Sequence, residues 1–172
     1  TGILGAPPTA GLLGRVVDRA DGNPYFVEEL VAAGGAADLP ARIGDVVMRR
    51  VARLDEATQE VLRIAAVIGR RVDATLLRGV LDDRAPDLLD TALREAIRHQ
   101  LLVAVGDGLV FRHALGHEAV YSSLLPTERR ALHERVAVVL DAQPELAVTG
   151  GEALAAAELA RHWHAAGRPE ET

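Results

Sequence analysis

The stretch LLVAVGDGLVF, residues 101–111, decides the fold that we predict for this chain. Two runs of β-prone residues flank Gly106-Asp107-Gly108, and a glycine-rich turn between two such runs predicts a β-hairpin with Asp107 at its tip. The segments before this hairpin are helical in pattern. Three helices followed by a hairpin are the element order of a winged-helix domain.

Aspartates and a proline mark the starts of those three helices. Asp55 is placed to cap the first helix, whose apolar stripe ends at Gly69. Asp73 can cap a second helix over residues 74–81, and a third runs over residues 86–100, beginning at a proline. Apolar residues at three- and four-residue spacing predict further helices before and after this domain. They cover residues 9–20, 25–33, about 40–51, 114–125, 127–142 and 152–166.

The composition favours a mainly α fold and restricts the function. Of the 172 residues 49% are apolar but only 3% are aromatic, so leucine, valine and alanine must build the core. The net charge is −6 without an obvious basic stripe, which argues against nucleic-acid binding. The chain has no cysteine and therefore no thiolate metal site or disulfide. No apolar run approaches the ~20 residues that span a bilayer, and no signal peptide is visible, so we expect a cytoplasmic protein with no membrane partner.

Three sequence blocks carry a family resemblance. They are GNPYFVEEL at residues 22–30, FRHALGHE at residues 111–118 and HWHAAG at residues 162–167. In this order and spacing they resemble the middle of STAND-class signal-transduction ATPases (related to NB-ARC and AAA-like ATPases), of the large LuxR-family transcriptional regulator type. The resemblance covers about residues 12–168.

The resemblance implies three parts and a regulatory role. They are a helical lid subdomain at residues 1–53, a winged-helix sensor at 54–125 and the start of a tetratricopeptide (TPR)-like arm at 126–172. No Gly-x-x-x-x-Gly-Lys-Ser/Thr occurs, so the chain would be a non-catalytic fragment of an ATP-dependent bacterial regulator. The intact parent would bind ATP or ADP with Mg²⁺, whereas the fragment would bind no cofactor. Its partners would be the parent's P-loop ATPase domain and TPR arm, with a protein or small-molecule inducer.

The resemblance also implies nucleotide contacts in the parent. The block Gly22-Asn23-Pro24 corresponds to a Gly-x-Pro motif whose proline packs on the adenine ring. His113 corresponds to a histidine that reaches the β-phosphate of ADP and holds the closed, inactive state. A glycine–proline pair is also an ordinary helix break, and a histidine between a strand and a helix can simply bond to backbone. Gly116 and His117 depart from the family pattern, which usually has a branched apolar residue and an arginine there.

Other histidine and arginine patterns predict packing rather than chemistry. His113 and His117 are four residues apart, but a zincin needs glutamate directly after the first histidine, so we predict no metal site. His162 and His164 flank Trp163 on opposite sides of a helix, which predicts one buried and one exposed imidazole. Arg129 and Arg130 are expected on an exposed helix face. No nucleophile motif supports catalysis by the fragment.

Two rival functions remain open. The first is a winged-helix DNA-binding module, whose recognition helix over residues 86–100 would carry Asp87, Asp90, Arg94, Glu95 and Arg98. Three acids against two arginines leave the phosphates of DNA unneutralised, although that neutralisation dominates affinity. The second rival is a protein-interaction scaffold of a STAND ATPase fused to another output domain, such as a cyclase.

Overall fold

The computed structural model describes residues 43–81, 86–106, 108–147 and 152–171, so Gly22, Asn23 and Pro24 lie outside the described residues. The chain divides into two compact units, Thr1–Arg53 and Leu54–Thr172. The described part of the first unit is helix α1, Ile43–Val51. Val46, Val47 and Val51 are its buried residues, at the helical spacing that the sequence predicted.

The second unit is mainly α, as predicted, and contains one small antiparallel sheet. Its described elements are α2 (Glu56–Ile68), β1 (Arg71–Asp73), α3 (Ala74–Val80), α4 (Pro86–Arg98), β2 (Leu102–Val105), β3 (Gly108–Phe111), α5 (Ala114–Ser123), α6 (Pro126–Ala142), a 3₁₀ turn (Pro144–Leu146), α7 (Glu152–Ala166) and a second 3₁₀ turn (Pro169–Glu171).

The predicted aspartate caps are present. Asp55 Oδ1 accepts the Thr58 amide hydrogen at 2.7 Å, which satisfies a donor that the first turn of α2 leaves unpaired. Asp73 Oδ1 accepts from the amides of Thr75 at 2.7 Å and Leu76 at 2.9 Å. Both helices therefore begin where their local sequence specifies.

The sheet contains the predicted hairpin and one strand that the sequence analysis missed. β2 and β3 pair with Leu102 opposite Phe111. β1, of which the sequence analysis interpreted only Asp73, as a helix cap, pairs with the other edge of β3, so the strand order is β1-β3-β2. The predicted winged-helix order of three helices and a hairpin is thus present, with a short strand added between the first two helices.

Helix α2 forms the centre of the core. Leu62, Ile64 and Ala65 are fully buried because α3, α4, α5 and α6 all pack against this helix. Phe111 at the end of β3 is also buried. Its ring packs against His117 of α5, with ring centroids 5.3 Å apart, directly after the chain leaves the sheet.

Helices α5, α6 and α7 complete the second unit. α5 ends at Ser123, two residues before the predicted end, and Pro126 occupies the first turn of α6, where a proline costs no helical hydrogen bond. The inward face of α6 carries Val136, Ala137 and Leu140, and α7 packs along α6. No described helix combines the length and the apolar character that crossing a membrane requires.

Candidate functional site

His113 lies at the junction between β3 and α5. Its backbone has the extended conformation of an N-cap residue (φ −132°, ψ 140°), and its side chain makes no capping bond. The ring is half-buried. Arg112 Nε donates to His113 Nε2 at 3.3 Å, so a neutral His113 ring in this geometry carries its proton on Nδ1.

Three exposed arginines belong to the strands and connections next to this junction. Arg70, Arg71 and Arg112 are all exposed. The Phe111 amide donates to the Arg70 carbonyl at 3.0 Å, and Arg71 pairs with Val110 across the sheet. The three guanidinium-bearing residues therefore belong to the same part of the sheet as His113. This end of the sheet therefore carries three exposed arginines although the chain as a whole is acidic.

The His117 side chain points into the unit and makes its contacts with Ala66 and Phe111, not with His113. Its Nε2 lies 2.9 Å from the Ala66 carbonyl, and because a carbonyl only accepts, Nε2 carries the hydrogen. The ring also packs edge-on against Phe111, with centroids 5.3 Å apart. His117 thus anchors α5 to α2. Within the described ranges, no group of three or more histidine or acidic side chains is placed to hold a metal ion.

A row of rings continues from His117 through α5 into α6 and α7. We call His117, Tyr121, His133 and His162 the histidine row. His117 stacks on Tyr121 with centroids 6.2 Å apart, and Tyr121 meets His133 at 5.9 Å. His133 and His162 follow at 4.9 Å. The row therefore connects three helices through the inside of the unit.

The last two members form a buried histidine pair. His133 is 1% exposed and His162 is 0% exposed. Their Nδ1 atoms lie 2.9 Å apart, and His133 Nε2 lies 3.0 Å from the Tyr121 hydroxyl. Arg161 Nη2 lies 2.7 Å from His162 Nε2 and 3.1 Å from the Ile68 carbonyl. The contact between the two histidines attaches α7 to α6, and the bond from Arg161 to Ile68 attaches α7 to the C-terminal end of α2.

Arg161 determines which nitrogens of the pair carry protons. A guanidinium can only donate, so His162 Nε2 must accept, and the neutral His162 ring carries its hydrogen on Nδ1. His162 Nδ1 then donates to His133 Nδ1. His133 therefore carries its hydrogen on Nε2 and donates it to the Tyr121 oxygen. The hydrogen bonds run in one direction, from Arg161 to Tyr121.

Both imidazoles are held neutral. Burial lowers the pKa of His133 to about 4, assisted by the positive charges of Arg161 and Arg129. Burial lowers the pKa of His162 to about 3, assisted by Arg161 and by His133. At neutral pH the pair is therefore uncharged. Because solvent cannot reach it, we assign it a structural role rather than an acid–base role in catalysis.

Arg129 corrects a sequence prediction. The Arg129–Arg130 pair was expected on an exposed face, and Arg130 is indeed exposed. The Arg129 guanidinium instead lies 4.5 Å from the centre of the Tyr121 ring and donates to the Tyr121 and Leu124 carbonyls. It thus covers the second ring of the histidine row and connects the end of α5 to α6.

Helix α4 does not offer a basic surface. Asp90 lies 3.9 Å from Arg94 and 3.7 Å from Arg78 of α3. Arg98 lies 3.1 Å from Glu95. Both arginines of this helix are therefore next to a carboxylate of the same helix, and the helix has three acids against two arginines.

Sequence reasoning found part of the row and missed its centre. It placed His162 and Trp163 on one helix face and predicted a buried tryptophan with one exposed histidine; Trp163 and His162 are buried, and His164 is the exposed one. His133 was not singled out. A signal existed, because His133 shares the inward stripe of α6 with Val136, Ala137 and Leu140. A histidine on the apolar face of each of two successive helices indicates a buried polar contact between them.

Comparison with known proteins gives a partial relationship. No protein-family profile matches the chain, and no solved structure matches it. An uncharacterised protein of Rhizobium meliloti is 34% identical to it over 82 residues, which cover 45% of this chain and 8% of that protein. The chain therefore spans less than a tenth of the length of this curated relative.

Proposed function

We propose that this chain is a regulatory segment of a STAND-class ATPase of the LuxR-type regulator kind, in which it connects a nucleotide-binding core to a signal-sensing arm. In this proposal the winged helix senses the nucleotide and does not bind DNA. The observation that carries the proposal is the position of His113, half-buried at the junction of β3 and α5, directly after the winged-helix sheet.

The local chemistry supports this role. A phosphate of ADP needs donors and positive charge, and the His113 end of the sheet carries three exposed arginines. Arg112 contacts the His113 ring and would share a phosphate with it. The match to a small part of a much longer bacterial protein also fits a segment that works within a larger chain.

The connection to an arm is supported by the histidine row. The row runs from α5, whose N-cap residue is His113, into α6 and α7. A displacement of α5 would therefore be transmitted to α7 through hydrogen bonds and not only through apolar contacts. The partners in this proposal are the parent's own ATPase domain and arm, with a protein or small-molecule inducer, in the cytoplasm.

The chain by itself would neither hydrolyse ATP nor hold a nucleotide firmly, because the P-loop and Mg²⁺ ligands supply most of the stabilisation of phosphate charge. Isothermal titration of residues 1–172 with ATP and with ADP, each with Mg²⁺, tests this. We expect no saturable binding at micromolar concentration. Micromolar affinity of the isolated chain would contradict the proposal.

The DNA-binding alternative makes the opposite prediction for duplex DNA. Since both arginines of α4 lie beside carboxylates, we expect no salt-dependent gel shift at submicromolar protein. The variant Asp87→Asn/Asp90→Asn removes two of the three acids of α4 and provides the comparison. If the unmodified chain shifted the DNA and the Arg94→Ala variant shifted it less, the DNA-binding module would be favoured instead.

A further inference from the structure

In the buried histidine pair, both ring nitrogens that could take an additional proton already accept a hydrogen bond. His162 can take a proton only on Nε2, which already receives a hydrogen from Arg161. His133 can take one only on Nδ1, which already receives a hydrogen from His162. If the His162 hydrogen moved to Nε2 instead, two donors, Nε2–H and the Arg161 guanidinium, would face each other. Protonation of either ring therefore requires that at least one of these contacts opens.

The charged groups around the pair reinforce this conflict. Arg129 of α6 covers the Tyr121 ring, and Arg161 of α7 contacts His162 directly. Glu158 of α7 lies 3.8 Å from Arg161 and offsets part of its charge. The group that α2 contributes is the Ile68 carbonyl, and α5 contributes the Tyr121 hydroxyl. Two guanidinium groups thus outweigh the one carboxylate in this set, and the ion pair of Glu134 on α6 with Arg168 after α7, at 2.8 Å, adds no net charge.

We propose that the contact between His133 and His162 is an acid-released clasp: protonation of the pair detaches α7 from α6, while the winged-helix elements from α2 to β3 stay folded. The winged-helix elements have their own apolar core around Leu62, Ile64 and Phe111, none of which belongs to α7. This inference does not depend on the proposed nucleotide function.

The expected size of the effect follows from proton linkage. We take each imidazole to regain the ordinary pKa of 6.5 when α7 is released; while the clasp is closed, the pKa is about 4 for His133 and about 3 for His162. The released state therefore binds more protons below pH 6.5, so stability of the clasp is lost as pH falls from there towards the closed-state values. Between pH 7 and pH 5 the opening equilibrium should increase roughly 20-fold for each histidine and roughly 500-fold for both.

Hydrogen–deuterium exchange on the whole chain tests the clasp. Protection factors, which correct for the intrinsic effect of pH on exchange, should fall by roughly 500-fold for the amides of α7 between pH 7 and pH 5. Those of α2 should change far less. Trp163 is the single tryptophan and lies on α7 at 7% exposure, so its emission should shift to the red over the same range.

Matched variants separate the clasp from general acid unfolding. His133→Gln and His162→Gln should each reduce the pH dependence of α7 protection to roughly 20-fold, and the double variant should remove most of it. His164→Gln changes an exposed histidine on the same helix and should leave it unaltered.

A second measurement does not rely on any variant. In the unmodified chain at pH 6, nitrogen chemical shifts of the imidazoles should show His162 neutral with its hydrogen on Nδ1 and His133 neutral with its hydrogen on Nε2. The proposal is overturned if either ring is charged at that pH or has the opposite tautomer. It is equally overturned if α7 and α2 lose protection together, or if α7 protection is independent of pH.

Discussion

Arg161→Met should destabilise the chain much more than the exposure of this arginine suggests. Its side chain is half exposed, but its Nη2 donates to the Ile68 carbonyl and to His162 Nε2, which is fully buried. A hydrogen bond from a charged donor is worth about 1.5–3 kcal/mol. Because water can replace part of the lost donor at a half-exposed site, we expect a total loss of about 2 kcal/mol in the free energy of unfolding. Methionine has nearly the helix propensity of arginine, so the helix itself is little changed.

Urea unfolding at pH 7.5, followed by circular dichroism and by Trp163 fluorescence, measures this loss as a lower midpoint at unchanged slope. The matched control is Arg94→Met, since Arg94 is 79% exposed and lies 3.9 Å from Asp90 of its own helix. That pair should contribute less than about 0.5 kcal/mol. Equal losses for the two variants would refute the reasoning that Arg161 orders the buried pair. Removal of the Arg161 charge should also raise the pKa of both histidines of the pair.

Two further variants test the core and the capping of α2. Leu62→Ala creates a cavity at a fully buried position and should cost about 2–5 kcal/mol, whereas Leu88→Ala, at 56% exposure, should stay within about 0.5 kcal/mol; equal costs would mean that α2 is not the centre of the core. Asp55→Ala removes the α2 cap and should lower the free energy of unfolding by about 1 kcal/mol at pH 7. Asp55→Asn should retain most of the cap's stabilising effect. Hydrogen bonds with Thr58 lower the pKa of Asp55 below 3.8, so its contribution is present above that pH and disappears as the pH falls through the lower folded value; urea midpoints of Asp55→Ala and the unmodified chain should then converge in acid.

The parts of the fold that the sequence predicted are those with local causes. Asp55 and Asp73 cap helices through bonds to residues two or three positions ahead, so nearby sequence is sufficient. The hairpin depends on a turn between adjacent runs. Strand β1 was missed because its three residues are too short to show alternation, and it forms only by pairing with β3, more than thirty residues later.

The candidate site was less predictable for the same reason. His133 and His162 are 29 residues apart, and their contact depends on how α6 and α7 pack. Arg129 was predicted to be exposed because helical spacing alone cannot show that the Tyr121 ring would lie beneath it. His113 was singled out by resemblance, and the structure places it at the end of the sheet. Its role remains a prediction.

The most direct test of the proposed function is the affinity of the complete parent protein for ADP with and without His113. If His113 donates to the β-phosphate, His113→Ala loses a bond to a charged group, so we expect ADP to bind roughly 10- to 100-fold more weakly and basal output to increase. Pro24→Ala should instead weaken ADP and ATP similarly, and His164→Ala is the control that should change neither. Unchanged ADP affinity and basal output in a folded His113→Ala protein would contradict the account.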